Sequence, residues 1–208
     1  MTAKVAVIYY SATGTVRALA RAVAEGAASA GAEVRLRRVA ELAPDGAVDQ
    51  GRQDGPIAEA AVEDLAWADA FAFGTPTRFG APAAQLKLFI DQAVGLWHGG
   101  ELAGKPVTAF TSAFHRHGGS EATILSLGNV FYHWGSLIVP PGYTDPAVYA
   151  AGGNPYGTSF VSGPSGDGPD TAALEAARYQ GRRLAQITIR LRTADAGEAL
   201  AATTSQTA

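Results

Sequence analysis

The stretch Lys4–Gly26, KVAVIYYSATGTVRALARAVAEG, runs an apolar strand into a turn and that turn straight into a helix. Val5–Tyr9 is apolar without alternation, as expected of a strand covered on both faces in a parallel sheet. From Val16 the apolar positions Val16, Leu19, Ala20, Val23, Ala24 and Ala27 fall on one helical stripe, and Gly31 stops it. A strand that feeds a helix through a tight turn is the first part of a βαβ unit. This feature therefore commits the chain to helices packed over a parallel sheet.

The rest of the chain repeats the alternation. Glu33–Val39 reads as a second strand with basic residues on one side, residues 42–56 as a surface loop rich in Gly, Pro and Asp, and Ile57–Trp67 as a helix. Residues 69–74 read as a third strand. Ala83–Val94 reads as a helix with Leu86, Phe89, Ile90 and Ala93 on one face. A fourth strand follows over 106–111, a helix over Ser120–Trp134 and a fifth strand from Leu137 to Pro140. Residues 141–169 form a long loop dense in Gly, Pro and Tyr, with a strand continuation at 159–161; Asp170–Leu191 is the last helix. The expectation is one α/β domain over residues 1–192, an open parallel sheet with helices on both faces, and a loose tail over 193–208. In such sheets ligands bind at the carboxyl ends of the strands, so the turns that follow strands are where function is sought.

Charge and composition remove several classes. A formal net charge of -3 offers no basic excess to a nucleic-acid backbone. With no cysteine there are no disulfides, thiolate metal sites or thiol nucleophiles. No apolar run approaches the ~20 residues of a membrane helix. The N-terminus enters a strand pattern without a leader, so a cytoplasmic protein is expected.

The turn Ser11-Ala12-Thr13-Gly14-Thr15-Val16 places hydroxyls and a glycine at a helix N-terminus, with no lysine. The first helical amides lack internal partners and face the positive end of the dipole, so an anion fits there without a cation. The Walker loop (Gly, four residues, Gly-Lys-Ser/Thr) and the three-glycine dinucleotide fingerprint are both absent. The remaining ligand is a terminal phosphate monoester such as that of FMN. A plain helix cap explains the same residues equally well.

The second turn, Phe73-Gly74-Thr75-Pro76-Thr77-Arg78-Phe79-Gly80-Ala81-Pro82, reads as a rigid loop. Thr77 and Arg78 offer donors and Phe79 a ring face, which together suit a flavin's polar edge and flat faces. The alternative is a stiff loop leading into a helix, since Pro82 suits a first turn.

These turns and the segments after them resemble the WrbA family of flavodoxin-like proteins. Its members are FMN-dependent NAD(P)H:quinone oxidoreductases, also called type IV, or tryptophan repressor-binding proteins. The matching segments run in order from residue 3 to about 190. They include Ala3–Val5, Tyr9–Ser11, Ala20–Gly26, Gly74–Gly80, Phe89–Gln92, Gly95-Leu96-Trp97, His133, Gly135, Val139-Pro140, Gly142-Tyr143, Pro155–Gly157 and Ala177–Gly181.

The resemblance implies a three-layer flavodoxin-like fold with a five-stranded parallel sheet in the order 2-1-3-4-5. It also implies bound FMN, NAD(P)H and quinone as substrates, and a homotetramer built as a dimer of dimers. By the same resemblance Ser11, Ala12, Thr13, Gly14, Thr15 and Val16 would hold the phosphate. Pro76, Thr77, Arg78, Phe79 and Gly80 would contact the ring and ribityl chain. Ser112, Ala113, Phe114, His117 and Gly118 would cover the other ring edge. His133 would approach the flavin, and Trp97 would line the quinone and nicotinamide side from a loop at the strand ends. Arg78, Trp97 and His133 would thus carry the catalysis, and Thr13 stands where the family often has an aromatic near the pyridine nucleotide.

Two turns depart from the family pattern. Thr13-Gly14-Thr15 replaces Tyr-Gly-His, and Ser112-Ala113-Phe114-His115-Arg116-His117-Gly118-Gly119 replaces a Ser-Thr-Gly-Thr-Gly-Gly-Gly run. His115 and His117, with no acidic or cysteine ligand nearby, make a weak metal signal, and a solvated loop is the expected reading. Arg116 between them reads as a solvated loop residue or a contact to an anionic cofactor. Glu121 reads as a helix-dipole partner and Arg17 as a solvated first-turn residue.

The expected activity is two-electron transfer from NAD(P)H to quinones by a ping-pong mechanism. A flavodoxin-type electron carrier would be strongly acidic, which this chain is not. A non-enzymatic interaction protein stays open as a further alternative.

Overall fold

The computed structural model describes residues 2–42 and 57–205; of residues 195–205 only the backbone is described. In chain order the elements are β1 (Lys4–Tyr9), α1 (Thr15–Ser29), β2 (Glu33–Arg38), α2 (Val62–Trp67), β3 (Ala70–Arg78), β4 (Ala81–Pro82), α3 (Ala84–Asp91) and α4 (Val94–His98). Then follow β5 (Pro106–Ala113), α5 (Ser120–Trp134), β6 (Leu137–Ile138), α6 (Pro146–Ala150), β7 (Ser159–Val161) and α7 (Thr171–Ser205).

The sheet runs β2-β1-β3-β5-β6, all parallel along this path. This is the flavodoxin-like order 2-1-3-4-5, with the fifth position split. β6 pairs with Pro106 and Val107 at the start of β5, whereas β7 pairs with Thr111–Ala113 at its end. Residues 139–158 leave the sheet between the two pieces. They contain α6, which the sequence reading lacks; Asp145 caps it by accepting the Ala147 amide at 2.9 Å, and Pro146 opens it.

Both faces of the sheet are covered, which is why β1 shows no alternation. Val5, Val7 and Tyr9 pack with Leu19 and Val23 of α1 and Ala177 and Leu184 of α7. Ala6, Ile8, Phe71 and Phe73 pack on the other side with Leu86 of α3 and Leu127, Phe131 and Trp134 of α5. α1 and α7 touch through glycines. A Cβ on Gly26 would fall 1.9 Å from the Arg178 carbonyl oxygen, and one on Gly181 would fall 1.9 Å from that of Val23.

Several expectations need correction. Residues 57–61 are not helical: Glu59 bridges Arg38, and the Arg38 and Ala60 amides exchange hydrogen bonds with Ala58 and Arg38 carbonyls. The outer edge of β2 offers unpaired groups, and pairing them outweighs helix propensity there. The expected helix 83–94 is divided into α3 and α4. β3 extends past Gly74 to Arg78, and α7 continues past Leu191 to Ser205. Of the expected surface loop, residues 43–56 lie outside the described residues.

Candidate active site

At the carboxyl end of β1 the chain turns through Ser11–Gly14. Ser11 is buried, and its Oγ accepts the Gly14 amide at 3.1 Å and the Arg17 amide at 3.3 Å. Gly14 has φ 94, a left-handed conformation that glycine adopts without strain. Its carbonyl accepts the first helical bond, from Ala18 at 3.0 Å. The Thr13 and Thr15 hydroxyls lie 3.5 Å apart. The turn is thus shaped from inside by Ser11, while threonine hydroxyls and α1 amides serve its mouth. A Cβ at Gly14 would sit 3.8 Å from Arg17 Nη2, so this guanidinium folds back over the turn.

The stretch expected as a rigid loop after β3 is a hairpin. Thr77 pairs with Pro82 and Arg78 with Ala81 across the two-residue turn Phe79-Gly80. Both turn residues have positive φ, 53 and 78, the combination a tight two-residue hairpin needs. Phe79 is the one non-glycine residue in that region among the described residues. Its ring stands fully exposed, at 108%. A strained backbone holding an apolar ring in solvent is a costly arrangement that a packed core does not call for. Pro76 is buried within β3, and Arg78 is exposed beside the turn.

The loop after β5 is anchored to this hairpin. Thr77 Oγ1 donates to the Gly118 carbonyl at 3.0 Å. Gly119 comes so close to the hairpin that a Cβ there would lie 2.7 Å from Gly80 Cα. The Gly118 amide closes a turn onto the His115 carbonyl at 2.9 Å. Ser112 and Ala113, expected in the loop, are buried residues of β5, where they pair with Phe160 and Val161 of β7. Phe114 and His117 are exposed, and Phe114 packs edge-on to His115 with ring centroids 4.7 Å apart. So Ser11–Val16, Pro76–Gly80 and Ser112–Gly118 do converge on the carboxyl edge of β1, β3 and β5.

Trp97 and His133 do not join them within the chain. α5 starts at Ser120 beside the third loop and runs 15 residues away from it, about 22 Å. It ends where the Gly104 amide bonds the Gly135 carbonyl and Leu137 pairs with Pro106, at the amino end of β5. α3 and α4 make the same return journey from the hairpin. Trp97, expected in a loop at the strand ends, is in α4 and therefore at the opposite end of the sheet from the expected one. There the Trp97 and His133 rings lie 5.2 Å apart, and Trp97 Nε1 donates to the His133 carbonyl at 3.2 Å. Together with Lys87, Val94 and Asn129 they line a surface groove of about 440 Å³.

One supporting network escaped sequence reasoning. The Tyr10 hydroxyl donates to Glu41 Oε2 at 2.9 Å, and Gln85 Nε2 donates to Glu41 Oε1 at 2.6 Å, tying the end of β1 to α3. Burial, reinforced by the Glu41 hydrogen bond, pushes the Tyr10 phenol up to about 12. Burial pushes the Glu41 carboxyl up, yet the bonds from Gln85 and Tyr10 carry it below the usual carboxylate range. No spacing in the sequence marks these three residues as partners. Among the described residues no group of three or more His, Cys, Asp or Glu could hold a metal, and no helix is long and apolar enough to cross a membrane.

The residues present suit FMN. The lysine-free nest at Gly14 fits a phosphate monoester, and the hairpin and third loop expose backbone and ring faces next to it.

Comparison with known proteins agrees with this geometry. The family model described as NADPH-dependent FMN reductase matches residues 3–146. A Deinococcus radiodurans protein named NAD(P)H dehydrogenase (quinone) is 42% identical over 198 residues, covering 90% of this chain and 96% of its own length. A Caulobacter vibrioides protein of the same name is 44% identical over 200 residues, covering 91% and 98%. Among solved structures, a WrbA-like flavodoxin from Agrobacterium tumefaciens superposes with a TM-score of 0.68 at 25% identity, over 91% of this chain and 99% of that one.

Proposed function

Because the chain belongs to the NADPH-dependent FMN reductase family, we propose that it is an FMN-dependent NAD(P)H:quinone oxidoreductase of the cytoplasm, passing two electrons with its substrates taking turns at one site. The names of its relatives from Deinococcus and Caulobacter support that substrate pair. The observation that carries the reading is the strained, fully exposed Phe79 on a hairpin beside the Gly14 turn at the N-terminus of α1. When bound, FMN supplies the hydride-accepting and hydride-donating chemistry.

The chain's own residues bind and orient. The Thr13 and Thr15 hydroxyls and the first α1 amides hold the phosphate. Phe79 and Phe114 give flat apolar contacts. Arg78 and the loop amides are donors for a ring edge on which negative charge develops. Arg17 adds a cation at the nest; Arg17→Ala weakens FMN binding about tenfold, read by fluorescence titration at low salt, and less so at high salt.

The same proposal includes the homotetramer. Val94, Leu125 and Tyr132 are exposed apolar residues on the α4–α5 side, around the Trp97–His133 pair. A second subunit covering this face would bring Trp97 and His133 to another subunit's flavin as substrate wall and as proton donor or quinone anchor. Light scattering of the FMN-loaded protein gives a tetramer on this reading; a monomer at micromolar concentration contradicts it.

The enzyme reading is tested by mixing FMN-loaded protein anaerobically with NADH or NADPH. The flavin absorbance is expected to bleach and to return when a quinone is added. No bleaching with either nucleotide contradicts an oxidoreductase.

A further inference from the structure

A second cavity, of about 630 Å³, lies beyond the third loop. At the carboxyl edge the sheet order sets out the β1 turn, the β3 hairpin, the β5–α5 loop and then β7, neighbouring strands being about 4.8 Å apart. The cavity occupies the last place in this row. Arg116 of the third loop stands on its rim, and the insertion 150–156 forms its far wall.

Its walls are fixed in advance. Gln180 is buried and takes the Thr158 amide on Oε1 at 2.7 Å. Its Nε2 donates to Thr108 Oγ1 at 2.6 Å and to the Ala109 carbonyl at 2.7 Å. Asn154 Nδ2 donates to Ser159 Oγ at 3.0 Å. These bonds clamp the insertion, β5 and α7 together.

The lining offers three kinds of contact. Tyr143, Tyr156 and Phe160 provide aromatic faces, and Tyr143 and Tyr156 keep about half their surface exposed (55% and 46%). Asp170 caps α7 with one carboxylate oxygen, which accepts the Ala173 amide at 2.8 Å, and has its second oxygen left to accept further hydrogen bonds. Arg116 supplies a guanidinium at the cavity's edge, with Glu121 of the first turn of α5 beside it in the lining. Stacking faces, an acceptor for a diol and a guanidinium for the phosphate are what a nucleoside phosphate requires.

We propose that this cavity receives the adenosine-phosphate half of the reduced dinucleotide, whose nicotinamide half reaches the flavin site across the third loop. The proposal rests on NAD(P)H being the electron donor, and Arg116, between the two places, is the residue that selects for the phosphate. The FMN-loaded protein is titrated calorimetrically with 5′-AMP, and its rates are measured with NADH and with reduced nicotinamide mononucleotide, which lacks the adenosine half.

Saturable 5′-AMP binding is expected, weakened about tenfold by Arg116→Ala and by Tyr156→Ala. Arg116→Ala is expected to raise KM for NADH by a similar factor and to leave KM for the mononucleotide unchanged. Absence of 5′-AMP binding, or unchanged binding in both variants, overturns the proposal. Equal shifts for the two donors also overturn it. If 5′-AMP binds as expected but neither donor bleaches the flavin, the oxidoreductase reading fails while the nucleoside-phosphate site stands.

Discussion

Thr13→Asp lowers the affinity for FMN about a hundredfold and leaves the affinity for riboflavin within about twofold. Thr13 is exposed at the mouth of the nest, and its hydroxyl points to that of Thr15, 3.5 Å away. A carboxylate there stands against a phosphate carrying nearly two negative charges. Two like charges 4 Å apart repel by about 4 kcal/mol at an effective dielectric of 20. Salt and exposure reduce this to roughly 2–3 kcal/mol, which is about a hundredfold. Riboflavin lacks the phosphate and escapes the penalty. Fluorescence titration of the apoprotein with each flavin separates the cases. Equal losses for both flavins would indicate damage to the turn, and no loss for either would put the phosphate elsewhere.

Gly181→Val destabilises the fold by more than about 3 kcal/mol. Any Cβ at this position meets the Val23 carbonyl oxygen at 1.9 Å, and the reciprocal contact at Gly26 closes on Arg178 at the same distance. The obstacle is backbone on both sides, so no side-chain rotation relieves it. α7 must move off α1, and the contacts of Leu19, Val23, Ala177 and Leu184 loosen with it. The loss is a large part of the roughly 5–15 kcal/mol that holds a typical domain folded. Gly168→Ala is the control, because a Cβ there meets nothing within 4 Å. Urea denaturation is expected to show a sharply lowered midpoint for Gly181→Val and an unchanged one for Gly168→Ala. Equal midpoints would mean that the two helices do not depend on this contact.

The alternation of strands and helices was legible because apolar runs and helical stripes follow one another along the chain, whereas the strand order came from the family resemblance alone. The first turn was legible because Ser11, Thr13, Gly14 and Thr15 sit between two strong patterns. The hairpin was not: tight two-residue turns usually signal themselves with Asn or Gly at both central positions, and Phe79 gives no such signal. α6 could have been read from Asp145-Pro146, a capping residue followed by proline. The place of Trp97 was misread although the chain direction contains it. A residue that ends a helix and precedes a parallel strand lies at the amino edge of the sheet, away from the ligand turns. The Tyr10–Glu41–Gln85 network and the Gln180 clamp join residues far apart in sequence, so no local pattern reveals them. The Ala-rich stretch after Leu191 has high helix propensity, which let α7 run on.

The most direct measurement is calorimetric titration of the apoprotein with FMN and with riboflavin under the same conditions. A phosphate held by the Gly14 turn makes FMN bind at least about a hundredfold more tightly than riboflavin, since several charge-assisted hydrogen bonds depend on that one group. Equal affinities for the two flavins would contradict a phosphate nest at the end of β1, and with it the assignment of the three turns as the FMN site.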